Sequence, residues 1–169
     1  MTSAERIVCS TWLAATRARV AIFPAMSVPK EDVPVSETLI TVRSPELDSF
    51  GHVNHATFLH YLEHARYEAL EAAGFSWSTL GEQGWQIFVV RIEVDYMREA
   101  SRGDRLLVRT WSDGFRRTMM KFGQAIVTEN DPDTLITQAS VTTAWIGPDH
   151  RPMRVPEEVR TGLTNRHGR

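Results

Sequence analysis

The chain has 169 residues and a mass of 19.2 kDa, is 42% hydrophobic and 24% charged, and carries a formal net charge of −2 at pH 7. That length gives one domain with room for a core, and its single cysteine, Cys9, excludes an internal disulfide or a cysteine metal cluster. The charge argues against a dedicated nucleic-acid binder, and no apolar run approaches the roughly 18 residues of a membrane span, so a soluble, cytoplasmic domain is expected.

Residues 1–35 hold no sustained period, and Pro24, Pro29 and Pro34 interrupt them. The stretch VAIFPAM is too short and broken for a secretory signal. A poorly ordered extension is expected, or a start placed upstream of a true initiator at Met26. The domain proper is expected over 36–156, with 157–169 as a tail.

Glu37 to Arg43 is a β-branched run that ends at Ser44-Pro45, a strand followed by a turn. After the loop from Asp48 to Asn54, a helical period takes over from about His55 to Ala73. Phe58, Leu59, Leu62, Ala65, Ala69 and Ala73 share one face, Asn54 suits an N-cap and Gly74 a C-terminal stop. Phe88, Val90, Ile92, Val94 and Tyr96 then alternate as a strand, with a turn through Ala100 to Asp104. Leu106, Val108 and Thr110 form the next run, broken by Asp113-Gly114. Met119 to Thr128 follows, then a turn at Asn130 to Asp133, and Leu135 to Ile146 ends at Gly147-Pro148.

This order predicts an α+β domain, one long helix on a five-stranded antiparallel sheet, with the last four strands joined as meanders. A sheet of that size leaves edges in need of cover, and Trp111 and Trp145 need an apolar partner surface, so a homodimer is expected.

The loop before the helix carries an acid, a glycine, a histidine and an amide. Unpaired N–H groups and the dipole at a helix N-terminus favour developing negative charge. Gly51 lets a substrate approach the backbone. An aspartate at Asp48 can attack a carbonyl carbon or activate water to do so. Together they suit acyl transfer with a backbone oxyanion site.

The string Asp48-x-x-Gly51-His52-Val53-Asn54, with Tyr61-x-Glu63-x-Ala65-Arg66 further along the helix, resembles the hotdog-fold acyl-CoA thioesterases. The branch it is similar to is the 4-hydroxybenzoyl-CoA thioesterase-like group, which includes the Tol–Pal-associated thioesterase. The resemblance spans about residues 37–156. It implies a hotdog fold, a long central helix wrapped by a five-stranded antiparallel sheet, and hydrolysis of an acyl-CoA or acyl carrier protein thioester at a site shared between subunits. It further implies a homodimer or a dimer of dimers, and no cofactor, since coenzyme A is part of the substrate. The family's acid falls on Asp48, as nucleophile or general base. The helix start around Val53 to His55 would polarise the carbonyl, and His52 would shape the loop or hold water. Two positions depart from the family: His55 stands where a second asparagine is frequent, and Glu99 where many relatives have proline.

Other residues carry weaker signals. Phe58, Tyr61 and Leu62 are candidates for the acyl-binding wall and equally for core. Of the seventeen arginines, Arg98, Arg116 and Arg117 are candidates for the phosphates of coenzyme A, because a guanidinium binds phosphate as a planar fork. His60 and His64 stand four apart on one helical face, as metal ligands do, but HYLEH lacks the metalloprotease glutamate and no metal is expected. Glu63 and Arg66 form an i, i+3 pair suited to bracing the helix. A dehydratase or hydratase on the same fold, with His52 moving protons, and a non-catalytic acyl-CoA-binding domain are the alternatives.

Overall fold

A computed structural model of the chain describes Pro29 and residues 33–164; the expected N-terminal extension and the end of the expected tail therefore lie largely outside the described residues. Five strands, β1 (Val35–Thr41), β2 (Gln86–Tyr96), β3 (Arg105–Phe115), β4 (Met119–Thr128) and β5 (Leu135–Ile146), form one antiparallel sheet. The long helix α1 (His55–Ala72) is followed by α2 (Trp77–Glu82), and α3 (Glu157–Thr164) closes the described chain.

The long helix starts and stops where its sequence directs. Asn54 Oδ1 accepts the Ala56 N–H at 2.9 Å and caps the first turn. Gly74 adopts φ +92°, and the Phe75 N–H returns to the Leu70 carbonyl at 2.9 Å, which ends the helix. Phe58, Leu62, Ala65 and Ala69 face the sheet. The two alanines let the backbone approach, and α1 lies across the inner face over β1 and β3. Around its first half Phe58 and Leu62 pack with Val108, Ile126 and Ala139. Around its end Leu70 joins Leu80, Phe122, Trp145 and, from α3, Val159 and Leu163. Each fully buried side chain of this size contributes about 1.5–3 kcal/mol of apolar burial.

The strand order is β1-β3-β4-β5-β2. The meander holds for β3, β4 and β5 but not for β2, which pairs with β5 at the far side of the sheet, while β1 takes the place beside β3. The turn signal at Asp113-Gly114 is not a strand end: β3 runs on to Phe115, with an irregularity in its pairing to β4 between Ser112 and Gly114. A second irregularity lies at Val90 in β2, where the strict alternation expected there breaks.

Trp111 and Trp145 are buried within the chain itself, so they call for no second surface. The uncovered apolar surface is β2. It lies at the sheet edge away from α1, and Phe88, Val89, Val90, Ile92 and Tyr96 are 39–53% exposed. The opposite edge, β1, is mixed: Val35 and Leu39 are exposed, but Glu37 pairs with Arg109 of β3 at 3.0 Å, Thr41 is exposed, and Pro34 precedes the strand.

Candidate active site

The segment between β1 and α1 is tied down by its own backbone. Leu47 and Val53 form an antiparallel bridge, as do His52 and Ser101 of the β2–β3 connection. The Asp48 N–H donates to the His52 carbonyl at 2.8 Å, and the Gly51 N–H to the Asp48 carbonyl at 3.1 Å. Gly51 turns the chain at φ +83°, and the space where a Cβ would stand is empty to 4 Å. Asp48 is half-buried, and its Oδ1 accepts the N–H groups of Phe50 at 2.8 Å and His52 at 3.3 Å. Those bonds fix the carboxylate and leave Oδ2 without a protein donor among the described residues.

The amides at this junction are almost all committed. Val53 N–H donates to the Ala100 carbonyl at 2.8 Å and Asn54 N–H to the Glu46 carbonyl at 2.9 Å. Asn54 itself takes the amides of Ala56, through its side chain, and of Thr57 and Phe58, through its carbonyl. Among the described residues, the His55 N–H is the amide from Phe50 to Phe58 left without a protein acceptor. The expectation of a donor anywhere from Val53 to His55 is thus narrowed: Val53 and Asn54 are held by Ala100 and Glu46. From the other side the Tyr96 hydroxyl donates to the His55 carbonyl at 3.0 Å and joins the end of β2 to the helix start.

His52 directs Nε2 at Glu99 Oε2, 3.2 Å away, so Glu99 holds this histidine. Glu46 carries a role that its sequence position did not signal. Its carbonyl anchors Asn54, and its carboxylate accepts the Tyr61 hydroxyl at 2.7 Å and both the backbone and guanidinium of Arg43. Desolvation raises the proton affinity of the Glu46 carboxyl, but the hydrogen bonds from Arg43 and Tyr61 outweigh it and hold it below the ordinary glutamate range. A carboxyl lowered on folding stabilises above its unfolded value, and the contribution is lost as pH falls through the folded value. Glu46→Gln should therefore cost about 1–2 kcal/mol at pH 7 and flatten the loss of melting temperature below about pH 4. Parallel melting curves for wild type and variant across that range would show that Glu46 contributes nothing through its charge.

The remaining expected residues separate into groups. Tyr61 has its ring in the core and its hydroxyl on Glu46. Phe58 and Leu62 are core residues packed against the sheet, 3% and 1% exposed. Arg98 lies at the same end of the sheet as the loop, with Nη1 on the Leu135 carbonyl at 2.7 Å. Arg116 and Arg117 are exposed in the β3–β4 turn, at the other end of β3, roughly 30 Å along the strand. His60 and His64 flank a shallow cleft beside β1 with Leu39, Arg43 and Glu46. No group of three metal-binding side chains stands together among the described residues, and no helix of the described chain is long and apolar enough to cross a membrane.

A cavity of about 280 Å³ lies between the second half of α1, α2 and the first half of β2. Its apolar walls are formed mainly by Leu70, Phe75, Leu80, Trp85, Ile87 and Phe122, and the charged side chains of Arg66 and Glu71 line it too. Arg66 does not pair with Glu63 as the i, i+3 spacing suggested: its Nη1 donates to Gln124 Oε1 at 2.8 Å, and Glu63 instead accepts the Tyr67 hydroxyl at 3.1 Å.

A family model described as the thioesterase-like superfamily matches residues 42–163. The chloroplastic acyl-acyl carrier protein thioesterase ATL2 of Arabidopsis thaliana is 28% identical over 125 residues, which make up 74% of this chain and 66% of that protein. The chain thus spans just under two thirds of that relative's length. The acyl-CoA thioesterase YbgC of Haemophilus influenzae is 29% identical over 126 residues, 73% of this chain and 90% of that one. A solved 1,4-dihydroxy-2-naphthoyl-CoA thioesterase from Synechocystis has the same fold, with a TM-score of 0.72 over 80% of this chain and 100% of its own, at 19% identity. The helix wrapped by five antiparallel strands is the hotdog fold.

Proposed function

Because the chain belongs to the thioesterase-like superfamily, we propose that it hydrolyses acyl thioesters at the junction of Asp48 and the N-terminus of α1. The observation that carries this reading is that two groups there are uncommitted, Asp48 Oδ2 and the His55 N–H, while the other amides from Phe50 to Phe58 have acceptors. The thioester carbonyl oxygen would accept the His55 N–H, where the helix dipole favours the charge that builds on it. The Asp48 carboxylate would attack the carbonyl carbon, or take a proton from the water that does. In the first route the C–S bond breaks as an acyl–Asp48 anhydride forms, and water then cleaves the anhydride to the free acid; in the second, water adds directly and the C–S bond breaks. In both, the departing thiolate takes up a proton and leaves as the thiol. Asn54 and Glu46 position the amide, and Tyr96 fixes the His55 carbonyl. The carrier of the acyl group is coenzyme A or acyl carrier protein, the two carriers named among the relatives.

The reading includes a homodimer through β2. An exposed apolar edge strand is a template for a second copy, and two-fold pairing centred on the middle of β2 would set Tyr96 of one copy opposite Gln86 of the other. The mouth of the apolar cavity, at Gln86 to Val89, would then adjoin the other copy's His55. Arg116 and Arg117, remote from the loop of their own chain, would approach the loop of the second copy, where they could meet the phosphates of the carrier.

Thiol release from short, long and aromatic acyl groups, on coenzyme A and on acyl carrier protein, tests the activity together with mass by light scattering. The wild type is expected to be dimeric and to turn over part of the panel. Val90→Lys puts a charge opposite Ile92 of the second copy, where the shared edge is apolar, and should halve the mass and lower turnover at least tenfold. A protein that releases no thiol from any member, yet melts higher with acyl-CoA bound, would be an acyl-thioester binding domain instead.

A further inference from the structure

Arg66 is 6% exposed in the fourth turn of α1, on the wall of a largely apolar cavity that Glu71, Ser76, Gln86 and Thr143 also line. Gln124 below it is fully buried and fixed in orientation, since its Nε2 donates to the Leu62 carbonyl at 2.8 Å and to Thr110 Oγ1 at 2.9 Å. Its Oε1 is thereby turned to Arg66 Nη1, a neutral acceptor for one of five guanidinium donors. Among the described residues no carboxylate stands within ion-pair distance of Arg66. Burial opposes its charge, and Glu63, one turn earlier on the same helix, supports it only through space. A cation so placed has no ion-pair partner in contact among the described residues, and it lines the cavity together with Glu71.

The cavity sets the size of what could supply that anion. Its volume of 280 Å³ is nearly twice the roughly 150 Å³ that holds a benzene ring in an apolar protein cavity. An acyl chain of medium length fits that volume. We propose that Arg66 selects acyl groups that end in a carboxylate remote from the thioester, monothioesters of medium-chain dicarboxylic acids, by a forked pairing inside the cavity. The proposal rests on the thioesterase reading and names the substrate class of that site. The apolar walls take the methylene chain, and the planar fork of the guanidinium suits a carboxylate in two parallel hydrogen bonds.

Suberyl-CoA and octanoyl-CoA have acyl chains of equal length and differ at the far end, so their ratio of kcat/KM reads the proposed contact. The wild type should favour suberyl-CoA at least tenfold. Arg66→Met should lose that preference through a higher KM for suberyl-CoA, with octanoyl-CoA turned over at least as well as before. Arg66→Lys, which keeps the charge and loses the fork, should fall between them and covers the case in which the methionine variant does not fold. Equal rates on the two substrates in the wild type would overturn the selection and leave the thioesterase reading standing. A parallel loss on both substrates in a folded Arg66 variant would reduce Arg66 to a brace for Gln124. Absence of thiol release from every acyl-CoA in the wild type would overturn the hydrolase and the selection together.

Discussion

Asp48→Asn is expected to lower kcat by roughly 10²–10⁴-fold, the range a positioned acid or base contributes, and to leave KM and the melting temperature nearly unchanged. The substitution separates chemistry from architecture. Asparagine keeps an Oδ1 that can accept the Phe50 and His52 amides, so the loop, its two bridges and the free His55 N–H persist. What disappears is the anionic oxygen that would serve as nucleophile or base in the proposed reaction. An effect confined to kcat marks an interaction made only in the transition state. Asp48→Ala removes the acceptor as well and should add about 1 kcal/mol of destabilisation from the two amides left unpaired. Thiol release measured beside thermal melting decides the matter. An asparagine variant with wild-type kcat would mean that the carboxylate is structural, and that the hydrolytic centre must be sought elsewhere.

The largest expected loss of stability from a single methyl group is at Gly123. In the centre of the sheet Gly123 pairs directly with Trp111, and the indole lies flat over the glycine. A Cβ at Gly123 would fall within the indole ring system. Trp111 is itself buried and is flanked across β1 by Val35, so it has little room to yield. Overpacking of this kind costs about 1–3 kcal/mol, and Gly123→Ala should lower the melting temperature by roughly 5–10 °C. Pairing it with Trp111→Leu should recover part of the loss, because the added methyl then meets a smaller, flexible side chain. Additive losses in the double variant, measured by thermal or urea unfolding, would place the strain elsewhere.

The elements were legible where the signal was local. Alternation located the strands, and Asn54 and Gly74 bounded α1 through capping chemistry that depends on a few adjacent residues. Strand partners were not legible. Nothing in the alternation of Phe88 to Tyr96 says that β2 passes over β3 and β4 to reach β5, since period reports a face and not a neighbour. The helices α2 and α3 are too short to show a sustained period and owe their helicity to packing of Leu80, Val159 and Leu163. At the site, the contiguous string from Asp48 to His55 could be read directly. Glu46 and Ala100 could not, because they act through backbone carbonyls that any residue would carry. Arg66 was hidden by a plausible local partner: Glu63 stands at the right spacing, yet the fold turns the guanidinium toward Gln124, a residue 58 positions away.

The two edges of the sheet differ in kind, and the difference governs where assembly stops. In the proposed dimer the apolar edge is used once, by its own copy, and a two-fold contact of that sort closes on itself. The ends of the resulting ten-stranded sheet are then the two β1 strands. Each presents the Glu37–Arg109 ion pair and follows directly on Pro34, features that discourage a further strand from adding. In that arrangement the chain can expose a sticky edge without seeding a fibre, because among the described residues the most apolar edge is consumed when the first partner arrives.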